Sequence, residues 1–234
     1  MKRVLPIIFA IALLSAGFLY FTQSREQEHE IAQPKYDDVE DIVEACAEAM
    51  GGADMIEGIQ TLRLTQNWPD HGTLHTEIRR PDMERLGESL VWNGSYCVQL
   101  NPLAPVPEEE WKDNEIDIAW NFPAFFDYQA EYLGARIVNG VQTYRVEVTL
   151  PLGAVMTYYI DVETDLVLKV AANFTLYGQA HYAERVYSDY RAVDGFIYPH
   201  RFTYAGRDGA SRLTATVESL DINLPLEGRF SIPR

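Results

Sequence analysis

Five histidines, two cysteines and a scatter of serines and acids are the residues here with the chemistry for catalysis or metal binding. His71 and His75 stand four apart, the spacing at which two imidazoles converge on a helix to hold zinc. They fall instead on the turn Trp68-Pro69-Asp70-His71-Gly72 and the strand leaving it, where that spacing does not converge. Asp70 beside His71 is the pairing that would suit a hydrolase, and nothing near it completes a site. His181 and His200 sit among strand aromatics and read as structural. Ser188-Asp189 and Ser211 lack the glycines of a nucleophile elbow. Asp161-Val162-Glu163-Thr164-Asp165 lacks the glycine and terminal glutamate of a calcium loop and reads as a hairpin turn. An exported chain with an even cysteine count permits one disulfide. Cys46 falls in a predicted helix and Cys97 in a predicted strand, so the reading is two buried free thiols. These residues call for no catalytic group, metal or cofactor.

What the chain offers instead is apolar surface, and the elements that gather it can be read from its period. Between Gln142 and Phe202 the pattern alternates. Tyr144, Val146, Val148 and Leu150 oppose Arg145, Glu147 and Thr149, and the series Leu166, Leu168, Val170 and Phe196, Tyr198, His200, Phe202 repeat it. Alternate side chains of a strand share a face, which predicts an antiparallel meander with one oily side. Turns fall at Pro151-Leu152-Gly153, Asp161 to Asp165, Gly178 and Asp194-Gly195. Upstream, Leu62 and Leu64 are answered across a turn by Leu74, Thr76 and Ile78. Met83 to Val91 makes a third strand, and Asn93-Gly94 a tight hairpin into Ser95 to Leu100. This turns Leu86, Leu90, Trp92, Tyr96, Val98 and Leu100 inward.

Two pieces break the strand pattern. A helix capped by Asp37 or Asp38 and ended by Gly51-Gly52 carries Val39, Ile42, Val43, Cys46, Ala47 and Met50 on one stripe. A short turn over Ala53 to Ile59 follows it. From Asn101 to Leu133 the alternation fails again. Pro107 followed by three glutamates starts short helices, and Pro123 prevents one long one. This insert holds Trp111, Trp120, Phe122, Phe125 and Phe126 and is the most aromatic stretch of the chain. The last strand is Arg212 to Ile222, with Leu224 to Pro233 trailing along an edge. The fold class expected is α+β, mostly β: ten or eleven strands in a strongly curved antiparallel half-barrel, with helices covering the concave face.

Whether those helices fill the hollow or leave room decides the function. A hollow lined by Leu62, Leu64, Leu74, Leu90, Trp92, Tyr96, Val98, Val146 and Val148 on the sheet, and by Trp120, Phe122, Phe125 and Phe126 on the insert, would suit an acyl chain. Burying ten methylenes contributes about 8 kcal/mol gross. Immobilisation costs roughly 4 kcal/mol or more, which leaves micromolar holding within reach. The alternative is a filled core acting as a scaffold or sensor in the envelope.

Charge and the N-terminus bound the setting. The formal net charge is −16, which excludes nucleic acid and anionic membrane surfaces as ligands. Tyr36 to Gln60 contains eight acids and no Lys or Arg. It reads as a solvated helix face, with docking of a basic envelope partner the other reading. Lys2 and Arg3 precede eighteen uncharged, mostly apolar residues, Val4 to Phe21. Residues 1–24 are therefore a signal peptide or an uncleaved inner-membrane anchor. Residues 25–36 are a linker, and 37–234 the folded domain, outside the cytoplasmic membrane and expected to be monomeric.

The mature chain also carries an ordered series of short motifs. They are Ala49-Met50-Gly51-Gly52 with Ile59 to Thr65, Arg80-Pro81-Asp82, Trp92-Asn93-Gly94, and Tyr158-Tyr159-Ile160-Asp161 with Glu163-Thr164. Tyr187-Ser188-Asp189-Tyr190, Val193-Asp194-Gly195 and Tyr198-Pro199-His200 complete the series. Together, over residues 38 to 233, they resemble the outer-membrane lipoprotein-sorting proteins of the LolA-like half-barrel superfamily. The resemblance implies a curved antiparallel sheet, helices plugging its concave face, non-covalent binding of lipid or lipoprotein acyl chains, and no catalysis. An uncleaved anchor, one of the two readings of residues 1–24, and a strongly acidic surface depart from a shuttling carrier, and favour lipid binding or envelope sensing.

Overall fold

The computed structural model describes residues 34–69, 71–205 and 212–232. The signal or anchor, most of the linker, Asp70 and Ser211 lie outside the described residues. Helix α1 (Val39–Ala49) starts where Asp38 accepts the Glu40 amide at 2.8 Å and stops at Met50-Gly51. Its stripe of Ile42, Cys46 and Ala47 is buried. A short α2 (Ala53–Gly58) then leads into the sheet.

Among the described residues, thirteen strands make one antiparallel sheet. In chain order β1 (Thr61–Trp68), β2 (Gly72–Arg79), β3 (Met83–Leu86), β4 (Leu90–Trp92), β5 (Cys97–Leu100) and β6 (Leu103–Pro105) run outward to one edge. The chain then crosses to the opposite edge. There β7 (Glu131–Val138), β8 (Val141–Thr149), β9 (Val155–Asp161), β10 (Val167–Leu176), β11 (Gln179–Val193), β12 (Phe196–Ala205) and β13 (Arg212–Ile222) return toward the middle. Pairing of β1 with β13 closes the two arms into an open curved sheet. The count exceeds ten or eleven because turn residues split Met83–Val91 into β3 and β4, and because β6 lies inside the stretch read as patternless. Asn93-Gly94 belongs to a longer loop than the tight hairpin expected, in which the Asn93 amide bonds the Tyr96 carbonyl at 3.2 Å.

Register decides which side chains share the concave face. Leu62 pairs Ile78 and Leu64 pairs Thr76, while Val146 pairs Tyr158, and all are buried there. A bulge between Val167 and Lys169 resets the phase, so Val167 and Val170 face the core and Leu168 does not. The Asp161–Asp165 segment forms the turn between β9 and β10, closed by the Asp165 amide on the Asp161 carbonyl at 2.9 Å.

The crossing from β6 to β7 carries a 3-10 turn (Glu108–Glu110), helix α3 (Lys112–Asn121) and a second 3-10 turn (Ala124–Phe126), with Pro123 between the last two. It packs on the concave face in one apolar cluster with α1. Gly51, at φ +126°, passes so near the β11–β12 turn that an added Cβ would lie 2.3 Å from the Gly195 carbonyl oxygen. The Ile197 amide bonds the Met50 carbonyl at 2.8 Å beside it. On the outer face the tail after β13 does more than trail along an edge. Arg229 bonds Glu77 at 2.7 Å, Arg85 bonds the Arg229 carbonyl at 3.3 Å, and Leu226 and Phe230 are buried.

Candidate functional site

Among the described residues, no group of three or more His, Cys, Asp or Glu could hold a metal ion, and no helix is long and apolar enough to cross a membrane. His71 and His75 are exposed, and His75 faces Thr65 across the β1–β2 pair at 3.2 Å. His200 is buried with Nδ1 2.9 Å from the Tyr198 carbonyl. Ser188 and Asp189 are exposed, and Asp189 is engaged by Arg191. Cys46 and Cys97 are buried free thiols. Burial pushes Cys97 up to about 11, so neither its position nor its acidity suits a nucleophile.

The site of interest is the seam between the concave face and the crossing segment. Leu62, Leu64, Trp92, Val146 and Val148 of the sheet meet Phe122 and Phe125 in the core, with Leu90, Trp120 and Phe126 packed half-buried against it. Two expected lining residues lie elsewhere, and a third lies at the margin of the concave side. Val98 pairs with Val91, whose other neighbour is Arg85, so it points to the outer face. Tyr96 is 42% exposed in the β4–β5 loop, with its ring edge-on to Trp111 at 5.7 Å. Leu74 shares the concave side with Leu64, but near the start of β2, where it is only half-buried.

The crossing segment is held by polar groups more than by its own amphipathicity. A helix leaves its last carbonyls unpaired, and α3 ends against three tyrosines of the sheet. The Tyr158 hydroxyl donates to the Ala119 carbonyl at 2.9 Å, Tyr187 to Trp120 at 2.7 Å and Tyr198 to Asn121 at 3.0 Å. Tyr158 also accepts the Ala124 amide at 2.9 Å. Burial raises all three phenols, so they stay donors.

Arg185 of β11, 3% exposed, bonds Asn121 Oδ1 at 3.1 Å and Asp117 Oδ1 at 3.3 Å, with its guanidinium 4.2 Å from the Phe202 ring centroid. Gln66 of β1 reaches the same Asn121 oxygen at 3.1 Å. At the far end, Arg80 grips Asp127 at 2.8 and 3.1 Å and the carbonyls of Ile56 in α2 and of Ile59 just after it, both at 2.6 Å, over the Phe122 ring.

Glu84 of β3 is fully buried and faces Asp117 without a well-formed hydrogen bond. Desolvation first, and the Asp117 charge second, push its carboxyl well above the usual range, so it is held neutral. Cross-strand register places Glu84 between Ile78 and Trp92, at an inward position.

Periodicity had pointed to the apolar side chains. It missed Gln66, Glu84, Asp117, Asn121 and Arg185, and gave no bonding role to the tyrosine hydroxyls. The available signal was a charged or amide side chain at an inward strand position, as with Gln66 two residues beyond Leu64. With the segment seated, a cavity of about 20 Å³ remains between α3 and the sheet, lined among others by Met50, Trp120, Tyr158, Val170, Tyr187 and Tyr198. That is room for about one water. At this place the crossing segment packs closely on the concave face.

No protein-family model matches the sequence, and no curated protein matches it at a significant level. Solved structures do resemble it in fold. A LolA superfamily protein from Nitrosomonas europaea is 13% identical, with 84% of this chain and 98% of that one covered at a TM-score of 0.53. A DUF1329 family protein from Desulfovibrio piger is 12% identical, with the same coverage and a TM-score of 0.50. At such identities the likeness concerns architecture alone. The chain has the fold of the LolA superfamily, an open antiparallel half-barrel with helices on its concave face.

Proposed function

We propose that this is a non-enzymatic envelope protein that holds a lipid or lipoprotein acyl chain between the concave face and the crossing segment, which swings aside to admit it. The observation carrying this reading is the make-up of the seam. The sheet side is a largely apolar surface interrupted by Gln66, Glu84 and Arg185, while the cover belongs to neither arm and is tethered in part through side-chain hydrogen bonds at its end. Each such bond contributes about 1 kcal/mol net. An acyl chain of ten methylenes offers about 8 kcal/mol gross, and it would take the place of the Ile116, Ile118, Phe122 and Phe125 side chains that the cover now buries. The LolA-like fold supports the same reading.

Native mass spectrometry of the full chain purified from expressing cells, followed by lipid extraction, tests it. Co-purifying lipid or uptake of a fluorescent fatty acid is the expected result. Protein without lipid that takes up no probe would sink the proposal. The small volume left between α3 and the sheet, about 20 Å³, favours a second reading, an anchored scaffold or sensor module whose core is permanently filled. In that case α1, with Glu40, Asp41 and Glu44 on it, would dock a basic envelope partner. Pull-down of such a partner, lost when those charges are reversed, is its signature.

A further inference from the structure

Arg185 is a cation in the middle of the apolar seam, and both side-chain oxygens that it bonds are carried by α3. On the sheet its neighbours include the Phe202 ring, the Tyr187 and Tyr198 side chains and, on the shared Asn121 oxygen, Gln66, with the Trp120 ring of the cover 4.9 Å away. Its Nε is buried without an acceptor even in the closed state. When the cover moves, Asp117 and Asn121 leave with it. So do the Ala119, Trp120 and Asn121 carbonyls that satisfy Tyr158, Tyr187 and Tyr198. A buried guanidinium stripped of its counter-charge is strongly destabilising, and three phenol donors without acceptors add to the cost. Glu84 of β3 is the other carboxyl at this site: it faces Asp117 and feels the Arg185 charge, but it makes no well-formed hydrogen bond and burial holds it neutral in the closed form. Unless Glu84 ionises on opening, the ligand must bring oxygens of its own.

We propose that Arg185, flanked by the Tyr158, Tyr187 and Tyr198 hydroxyls, is the headgroup subsite of the acyl-binding hollow, and that it selects anionic amphiphiles over neutral ones. The closed form is the same site occupied by the chain's own surrogate. The Asp117 carboxylate stands for the ligand's anionic group, and the α3 carbonyls for its ester or acid oxygens. This deepens the lipid-holding reading and rests on it.

The test is a comparison of cis-parinaric acid with its methyl ester, which share an alkyl chain and differ in charge, bound to the full chain at neutral pH. A charge-assisted contact of this kind predicts that the acid binds about tenfold tighter or better. Arg185→Gln should bring the two affinities within about twofold of each other, and Arg185→Lys should keep part of the preference. The wild-type comparison decides by itself should the glutamine variant fail to fold.

Equal affinity of the wild type for acid and ester overturns the subsite while leaving lipid holding intact. It would mean that Glu84 ionises on opening and serves as the internal counter-ion. A preference for the acid that survives unchanged in folded Arg185→Gln also overturns it. Binding of neither probe removes the lipid-holding reading and this subsite together.

Discussion

Glu84 stands on β3 between Ile78 of β2 and Trp92 of β4, an acid where the register presents side chains to the core. Its carboxyl in the unfolded chain titrates near pH 4.3, and burial raises it in the folded protein. The folded state thus keeps a proton that the unfolded chain has lost, and stability falls as pH rises through that window. Glu84→Gln removes the titration. The variant should melt near the wild-type temperature at pH 4 and above it by pH 8, with each unit of window contributing about 1.4 kcal/mol. Parallel melting curves across the range would show that Glu84 ionises freely. Gly51 makes a second prediction at this scale. Its φ of +126° and the 2.3 Å approach of the Gly195 oxygen leave no place for a Cβ, so Gly51→Ala should cost about 2 kcal/mol or more in denaturant unfolding. The close approach explains why the glycine-bearing motifs at 51–52 and 194–195 occur together, although the sequence shows them far apart. Arg185 was harder to see. Glu184 and Arg185 are adjacent charges on one strand, so alternation alone does not say which of them is turned inward.

The crossing segment is the element on which function turns, and the sequence announced it by composition while concealing its grip. Prolines, a glutamate run and dense aromatics told of short helices, and Pro107 and Pro123 stand at their boundaries. Its course from one edge strand to the other was not legible, because β6 is three residues long and the partners that seat α3 lie on β1, β9, β11 and β12. Long-range hydrogen bonds leave no period in a sequence. The tyrosine latch predicts a local effect. Tyr187→Phe with Tyr198→Phe removes two donors and leaves two buried carbonyls unsatisfied, each costing about 1–3 kcal/mol. Amide exchange in α3 should accelerate by about tenfold or more, with β10 to β12 nearly unchanged, and fatty-acid uptake should quicken alongside. Uniform loss of protection through the sheet would instead make the tyrosines general core residues.

At the scale of the whole molecule, the sheet is two meanders joined at one seam, β1 with β13, and the arms are unequal. The β8–β12 arm has long strands and a thick share of the core, whereas β3 to β6 are three or four residues each. Short strands of that kind hold few ladder bonds and depend on what packs against them. The tail after β13 supplies this. Arg229 meets Glu77 of β2, Arg85 of β3 meets the Arg229 carbonyl, and Val91 and Val98 are buried on the same outer face. Leu226 and Phe230 are buried with the tail, a contribution of about 1.5–3 kcal/mol each. Removing residues 225–234 should therefore loosen the weaker arm selectively. Hydrogen exchange should rise across β2 to β6 while β8 to β12 stay protected, and the melting transition should broaden or split. A single cooperative transition, merely shifted down, would show that the β1–β13 seam transmits the loss to the whole sheet. In that event the two arms unfold as one, and the crossing segment cannot open by letting the thin arm yield.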